Sequence, residues 1–330
     1  MTSNCSSKVI VAREAIEKLD GILEGYDKPI CVTDLLLYEK YSKLVSSIVG
    51  EKLEWLIIND RIAKNTKSMI DADIILGFGG GRSIDQAKIM ARDSHIEWIS
   101  IPTAASHDGI ASEVASVMHN GYRYSEKCKR PKLILADLDI MDDAPPHLRL
   151  SGLGDVISKA SSLAEWRLAR DYADEEYDSD VYATVEAALE AVLTNSSLEV
   201  LVGSVIDAGI AMSEFGSSRP CSGTEHAISH AMDRRNHNLH GIQVAFATPF
   251  SLHFMEQTDY GKYSPTEILR FMKREEMPVT FDEMDLTREL FLDDIDHAIR
   301  IMNKRNRYSV LKHVHAKHED MLLAIEKVGY

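Results

Sequence analysis

The sequence predicts an α/β nucleotide-binding domain built on a doubly wound parallel sheet, followed by an all-helical domain. Three observations carry this reading. Short apolar runs alternate with helix-spaced segments up to about residue 144, the pattern of parallel strands joined by helical crossovers. Beyond that point strand patterning disappears and apolar residues recur at helical spacing. A glycine-rich turn follows one of the strands and opens a helix, so it belongs at the C-terminal edge of the sheet, where open α/β sheets bind ligands.

The elements follow in order. Lys8–Ala12 is a short β-branched strand, and Ala15–Leu23 has helical spacing. Pro29–Asp34 reads as a strand, Leu36–Ile48 as a helix and Leu53–Ile58 as a strand. Asp60–Met69 is helical, Asp73–Gly77 is the fourth strand, and a helix runs from about Arg82 to Arg92. Ile96–Ile101 is the fifth strand, ended by Pro102. Glu113–Met118 reads as a strand, Gly121 as a turn and Lys132–Ala136 as a further strand. Asp142-Asp-Ala-Pro-Pro146 breaks the pattern, which divides the chain into domains 1–144 and 145–330. Leu148–Asp171, Val181–Thr194, Leu198–Phe215, Thr224–Met232, Gly241–Gln257, Pro265–Lys273, Leu286–Met302 and Val310–Val328 then carry helical spacing, a domain of seven or eight helices.

Composition narrows the function. A chain of 330 residues with 45% hydrophobic and 27% charged residues folds around a substantial core without staples. Asp and Glu number 52 against 37 Lys and Arg, a formal charge of −15. That single-sign field argues against nucleic acid or an anionic membrane as the main partner, yet leaves room for a locally positive pocket. Cys5, Cys31, Cys128 and Cys221 form no CxxC pair, so neither a disulfide framework nor a zinc finger is expected. Met1–Val9 lacks a signal-peptide core and no long uncharged apolar run follows, so a cytoplasmic protein without membrane insertion is expected. The acidic surface neither requires nor excludes a homo-oligomer.

Two loops carry chemistry in the first half. In Leu76-Gly-Phe-Gly-Gly-Gly-Arg-Ser83, consecutive glycines let backbone amides approach an anion, and the helix start adds partial positive charge. The loop is neither GxGxxG nor a Walker motif, and a capped tight turn is the plain alternative. Pro102-Thr-Ala-Ala-Ser-His-Asp-Gly-Ile110 is a polar loop directly after an apolar strand. Thr103 and Ser106 can donate hydroxyl hydrogen bonds, Asp108 can accept them from a polyol, and Ser112 begins the next strand. His107 reads as a ligand, a proton carrier or a structural residue.

Metal-type ligands come from three segments of the helical half. Ser151-Gly-Leu-Gly-Asp155 lies at a helix start, Cys221-Ser-Gly-Thr-Glu-His226 leads to His230 four residues on, and His240-Gly241 opens another helix. Asp155, His226 and His240 would leave an open coordination position for substrate. The rivals are His237, His253, His297, His313, His315 and His318. HExxH is absent, which makes a zinc peptidase a poor fit.

Gly79-Gly-Gly-Arg-Ser-Ile-Asp-Gln-Ala-Lys88, Pro102–Ser112, Ser151–Asp155, Ser222-Gly-Thr-Glu-His-Ala-Ile-Ser-His230 and His240-Gly-Ile-Gln243 together resemble the sn-glycerol-1-phosphate dehydrogenase family. That family belongs with glycerol dehydrogenase, iron-type alcohol dehydrogenase and dehydroquinate synthase, so the resemblance implies a dehydroquinate synthase-like fold. It implies NAD(P)H- and zinc-dependent reduction of dihydroxyacetone phosphate to sn-glycerol 1-phosphate, a precursor of archaeal ether phospholipids. The alternative is a metal-dependent glycerol or other polyol dehydrogenase on the same scaffold. It places the cofactor pyrophosphate on Gly80, Gly81, Arg82, Ser83 and Asp85, with Thr103, Ser106 and Ser112 also at the cofactor. It makes Asp155, His226 and His240 the zinc ligands, and Asp108 and His230 the substrate-contacting pair. The chain departs from the family at Ile242, where an acidic residue is common, and in Val244–Thr248, which is bulkier. Asp34 stands where a glycine is common. At a strand end it would accept from an adenosine ribose and repel a 2′-phosphate, favouring NADH over NADPH. Lys159 and Arg167 are, by sequence neighbourhood, the cationic candidates for a substrate phosphate, while Arg307 lies in a matching C-terminal segment and is assigned no contact.

Overall fold

The computed structural model describes residues 7–58, 70–119, 122–235 and 238–330. The expected helix Asp60–Met69, the turn at Gly121, Cys5 and His237 lie outside the described residues. The strands are β1 (Lys8–Ala12), β2 (Pro29–Asp34), β3 (Glu54–Ile58), β4 (Ile74–Gly79), β5 (Glu97–Pro102), β6 (Val114–His119), β7 (Tyr122–Lys127) and β8 (Leu133–Asp137). Six of them form one parallel sheet in the order β1-β8-β5-β4-β2-β3, while β6 and β7 pair as a separate antiparallel hairpin. The polar stretch forming β7 carries no apolar period, and pairing with β6 supplies the order that sequence pattern does not.

Between these strands run α1 (Leu19–Ile22), α2 (Leu35–Val49) and α3 (Gly81–Ser94). The strand period of two divides the core between the faces of the sheet. Cys31, Leu76 and Phe78 pack with Tyr41 and Val45 of α2. Their neighbours Ile30, Val32 and Ile75 pack with Ile84, Ala87 and Met90 of α3. The chain runs outward from β2 to β3, then returns across β2 to β4 before moving toward β5 and β8. The topological switch therefore lies between β2 and β4, and Asp34 and the glycine turn stand at the C-terminal ends of those two strands. The segment expected as one helix, Ala15–Leu23, is a 3-10 turn over Ala15–Lys18 followed by α1. It is held to the sheet by the bond from Ile16 N to Asp137 Oδ2, 2.7 Å.

After α4 (Leu138–Asp142) the described chain is helical: α5 (Pro146–Ile157), α6 (Lys159–Ala173), α7 (Ser179–Thr194), α8 (Leu198–Phe215), α9 (Thr224–Met232), α10 (His240–Met255), α11 (Pro265–Arg274), α12 (Arg288–Lys304), α13 (Val310–His313) and α14 (His318–Val328). Two segments expected as single helices are broken. Leu148–Asp171 divides at Ser158, whose hydroxyl donates to the Asp155 carbonyl at 2.7 Å and competes with the helical ladder. Val310–Val328 divides around His315, which takes a left-handed conformation with φ 53°.

Two contacts fix the helices that matter for the site. Helices α5 and α10 cross backbone to backbone. A Cβ on Gly154 would overlap the Gly241 carbonyl, and one on Gly241 would overlap the Ser151 carbonyl. Only glycine permits this approach, and it sets Asp155 beside His240. Helix α10 also contains Pro249, which brings no N–H to the ladder. Tyr330 inserts its hydroxyl there, accepting from Phe250 N at 3.0 Å and donating to the Phe246 carbonyl at 2.7 Å. Its ring packs on Phe246, Phe281 and Phe291.

Candidate metal and cofactor site

Asp155 ends α5, His226 lies in the first turn of α9 and His240 opens α10. One potential ligand atom from each falls within 4.8 Å of the other two. Among the described residues no other group of three His, Cys, Asp or Glu side chains converges this way, His253, His297, His313, His315 and His318 included.

Hydrogen bonds decide which atom each residue presents. His226 Nδ1 donates to Glu225 Oε1 at 2.8 Å, which leaves Nε2 free, 3.7 Å from Asp155 Oδ1. Glu225 is itself buried and held by Gly223 N at 2.7 Å and Ser161 Oγ at 2.9 Å. Ser229 Oγ donates to Gln243 Oε1 at 2.8 Å, so the 3.0 Å contact with His240 runs from Nδ1–H to Ser229 and frees His240 Nε2. A partner that fixes the tautomer in this way is the usual support of a metal-bound imidazole.

Asp155 divides its two oxygens. Oδ2 accepts from Asp108 N at 3.0 Å and lies 3.2 Å from Lys159 Nζ. Oδ1 is buried without a hydrogen-bond partner. Against the cost of burial, Lys159 and His226 hold the Asp155 carboxyl well below its usual range. A buried, ionised oxygen with no donor, facing two imidazole nitrogens, fits a divalent cation of the kind zinc exemplifies. Lys159 is fully buried, and Asp108 (2.8 Å) and Asp155 outweigh that burial and raise its pKa, so it is a cation here. Its ammonium is therefore used on carboxylates. The other phosphate candidate is also engaged, for Arg167 lies over the Tyr260 ring, and Arg307 donates to Ser222 and Ser218. His230, one turn beyond His226, stacks on His240 at 5.8 Å, and burial lowers its pKa.

The glycine turn joins β4 to α3. Gly80 has open space where a Cβ would stand, and Gly79 has φ 150° with the Ser83 side chain beside it. Ser83 Oγ is buried and unpartnered, a donor toward the turn. An anion over Gly80 at the start of this 14-residue helix fits those groups. Arg82 is exposed at the helix start. Asp85 is committed elsewhere: Oδ1 lies 3.1 Å from Lys88 Nζ, and Oδ2 accepts from Ser116 N at 3.0 Å. Thr103 and Ser106 are buried beside the turn, with Thr103 N bonded to the Gly79 carbonyl at 3.1 Å and the Ser106 carbonyl accepting from Ser151 Oγ at 3.1 Å. Ser112 is buried and its hydroxyl accepts from Val114 N at 3.4 Å. Asp34 caps α2, accepting from Leu37 N at 3.0 Å, and Leu37 flanks Gly79. The structure thus gathers Asp108, Asp155, His226, His230 and His240 into one site, with the glycine and hydroxyl loops beside it.

Sequence reasoning overlooked Glu225, Ser229 and Gln243, which orient the two histidines. The signals were local: Glu225 directly precedes His226, and Ser229 lies one turn beyond it.

This combination of parallel α/β sheet, helical half and Asp/His/His cluster defines a metal-dependent dehydrogenase scaffold. Accordingly, residues 32–145 match the family model described as iron-containing alcohol dehydrogenase. A probable glycerol dehydrogenase from Sinorhizobium meliloti superposes with a TM-score of 0.75 at 18% identity, over 98% of this chain and 96% of that one. In sequence, the glycerol-1-phosphate dehydrogenase (NAD(P)+) of Archaeoglobus fulgidus is 31% identical over 97% of this chain and 96% of its own length. That of Hyperthermus butylicus is 33% identical over 92% and 91%. The chain belongs to the glycerol-1-phosphate dehydrogenase family.

Proposed function

We propose that this chain reduces dihydroxyacetone phosphate to sn-glycerol 1-phosphate, using NADH or NADPH and a zinc ion. The observation that carries the reading is the orphaned Asp155 Oδ1 facing His226 and His240 beside the Asp108–Lys159 pair, in a chain of this family. Residues 1–144 bind the dinucleotide and 145–330 hold metal and substrate. Asp155, His226 and His240 are the residues that would hold the ion. When bound, zinc supplies Lewis acidity to a carbonyl and the reduced nicotinamide supplies the hydride.

The protein's own groups do the rest. Lys159, Asp108 and Asp155 together carry one net negative charge, which a divalent ion converts to one net positive charge, suited to a phosphorylated substrate. Asp108 and His230 orient substrate hydroxyls, and burial keeps His230 neutral and able to accept or donate. The burial of Asp155, Lys159 and His226 keeps water away and strengthens each of these interactions. No helix among the described residues is long and apolar enough to cross a membrane, in keeping with a cytoplasmic enzyme acting on a small substrate.

The test is the initial rate of NADH oxidation, then of NADPH oxidation, with dihydroxyacetone phosphate and zinc-replete protein. A substrate-dependent rate yielding sn-glycerol 1-phosphate by chiral analysis is expected. Turnover of glycerol or dihydroxyacetone with none of the phosphate ester would overturn the reading in favour of another polyol dehydrogenase.

A further inference from the structure

His107 lies at the junction of the two loops, and its ring is locked there. Its Nδ1 accepts the Gly109 N–H at 2.9 Å, capping the short 3-10 turn Asp108–Ile110. An accepting Nδ1 leaves the ring proton on Nε2. That edge faces the glycine turn: a Cβ on Gly81 would overlap His107 Nε2, and a Cβ on Gly109 would overlap the adjoining Cε1–Nδ1 edge of the ring. The backbone beneath it is equally fixed. Gly152 of α5 lies against the Ala105 carbonyl, Gly209 of α8 lies against the Asp108 carbonyl, and Asp108 N is bonded to Asp155. Gly81 is therefore glycine because an imidazole occupies the place of its side chain. The open space of the turn is over Gly80; the orphaned Ser83 hydroxyl lies against Gly79 before it and His107 Nε2–H against Gly81 after it.

We propose that His107 is a cofactor-binding residue whose Nε2–H donates to the dinucleotide pyrophosphate over Gly80, opposite the Ser83 hydroxyl. This rests on the dehydrogenase reading above. It also makes one residue serve both halves of the site. His107 would touch the cofactor, while the backbone of the next residue fixes the Asp155 oxygen that does not face the histidines.

Two substitutions separate the edges of the ring. In His107→Asn the amide oxygen takes the place of Nδ1 and keeps the cap, but no donor reaches the turn. In His107→Gln the amide nitrogen reaches the place of Nε2, but the cap is lost. Binding of NADH, ADP-ribose and adenosine is measured by calorimetry on zinc-replete full-length protein, with zinc content as the check on folding. His107→Asn is expected to weaken NADH and ADP-ribose about tenfold or more, the loss of one hydrogen bond to a charged group, and to leave adenosine unchanged. His107→Gln should retain most of the dinucleotide affinity. The reverse ranking, with Asn like wild type and Gln impaired, would show a structural cap and overturn the proposal. An equal loss of adenosine affinity in His107→Asn would overturn the pyrophosphate contact. Failure of the wild-type protein to bind any dinucleotide would instead overturn the dehydrogenase reading as well.

Discussion

Lys88 and Lys159 invite comparison. Each is fully buried, each extends from a helix, and each grips the loop around Asp108 and Gly109, one from the sheet half and one from the helical half. Their partners differ in kind. Lys88 donates to the Gly109 carbonyl at 2.5 Å and the Val114 carbonyl at 2.7 Å, with Asp85 as its single carboxylate at 3.1 Å. Lys159 is held by two carboxylates, Asp108 and Asp155. A lysine on carbonyls fixes where a backbone runs, whereas a lysine between carboxylates fixes how charge is distributed. The same residue type in the same degree of burial therefore builds the loop in one place and conditions the candidate metal site in the other.

This contrast can be broken by experiment. The largest effect is expected for Lys159→Met, which leaves two carboxylates without their cation. Metal-free protein should lose about 3–5 kcal/mol, and zinc should restore a large part because it replaces the missing positive charge. Denaturant unfolding with and without zinc measures both quantities. Lys88→Met should cost about 2–3 kcal/mol by leaving carbonyls unsatisfied, and zinc should not change that cost. Equal rescue of both variants would end the distinction. Glu225→Gln addresses the metal side alone. Weakening the partner of His226 Nδ1 should reduce zinc affinity about 10–100-fold in a chelator competition while the glycine turn still binds dinucleotide. The smallest effect is expected on the cofactor side. Asp34→Ser keeps a good cap on α2, so stability should shift by less than about 0.5 kcal/mol while discrimination against NADPH relaxes. An unchanged ratio of NADH to NADPH affinity would remove Asp34 from the cofactor site.

Much of the sheet was legible because its strands alternate regularly enough to divide the core between α2 and α3. The candidate ligands were legible because Asp155, His226 and His240 sit among small residues whose purpose is close helix packing, as Gly154 and Gly241 show. What escaped was interaction across distance. The bond from Ser229 to Gln243 spans fourteen positions, and no local pattern announces it. The pairing of Lys159, a candidate for the substrate phosphate, with Asp108 was not legible because Asp108 lies 51 positions earlier and belongs to the other half. The break at Ser158 escaped for the opposite reason: a single serine hydroxyl folds back on the preceding turn, a competition that apolar spacing does not record.

The Tyr330 hydroxyl bears on the order of events during synthesis. Helix α10 offers His240 at one end, yet the bonds around Pro249 in its middle are closed by a side chain 80 positions beyond Phe250. A nascent chain that has exposed every candidate ligand still lacks the residue that secures the last helix carrying one. Firm holding of an ion should therefore wait until Tyr330 has emerged from the ribosome, and replacing Tyr330, remote from the site, should loosen the ion without removing any of its candidate ligands.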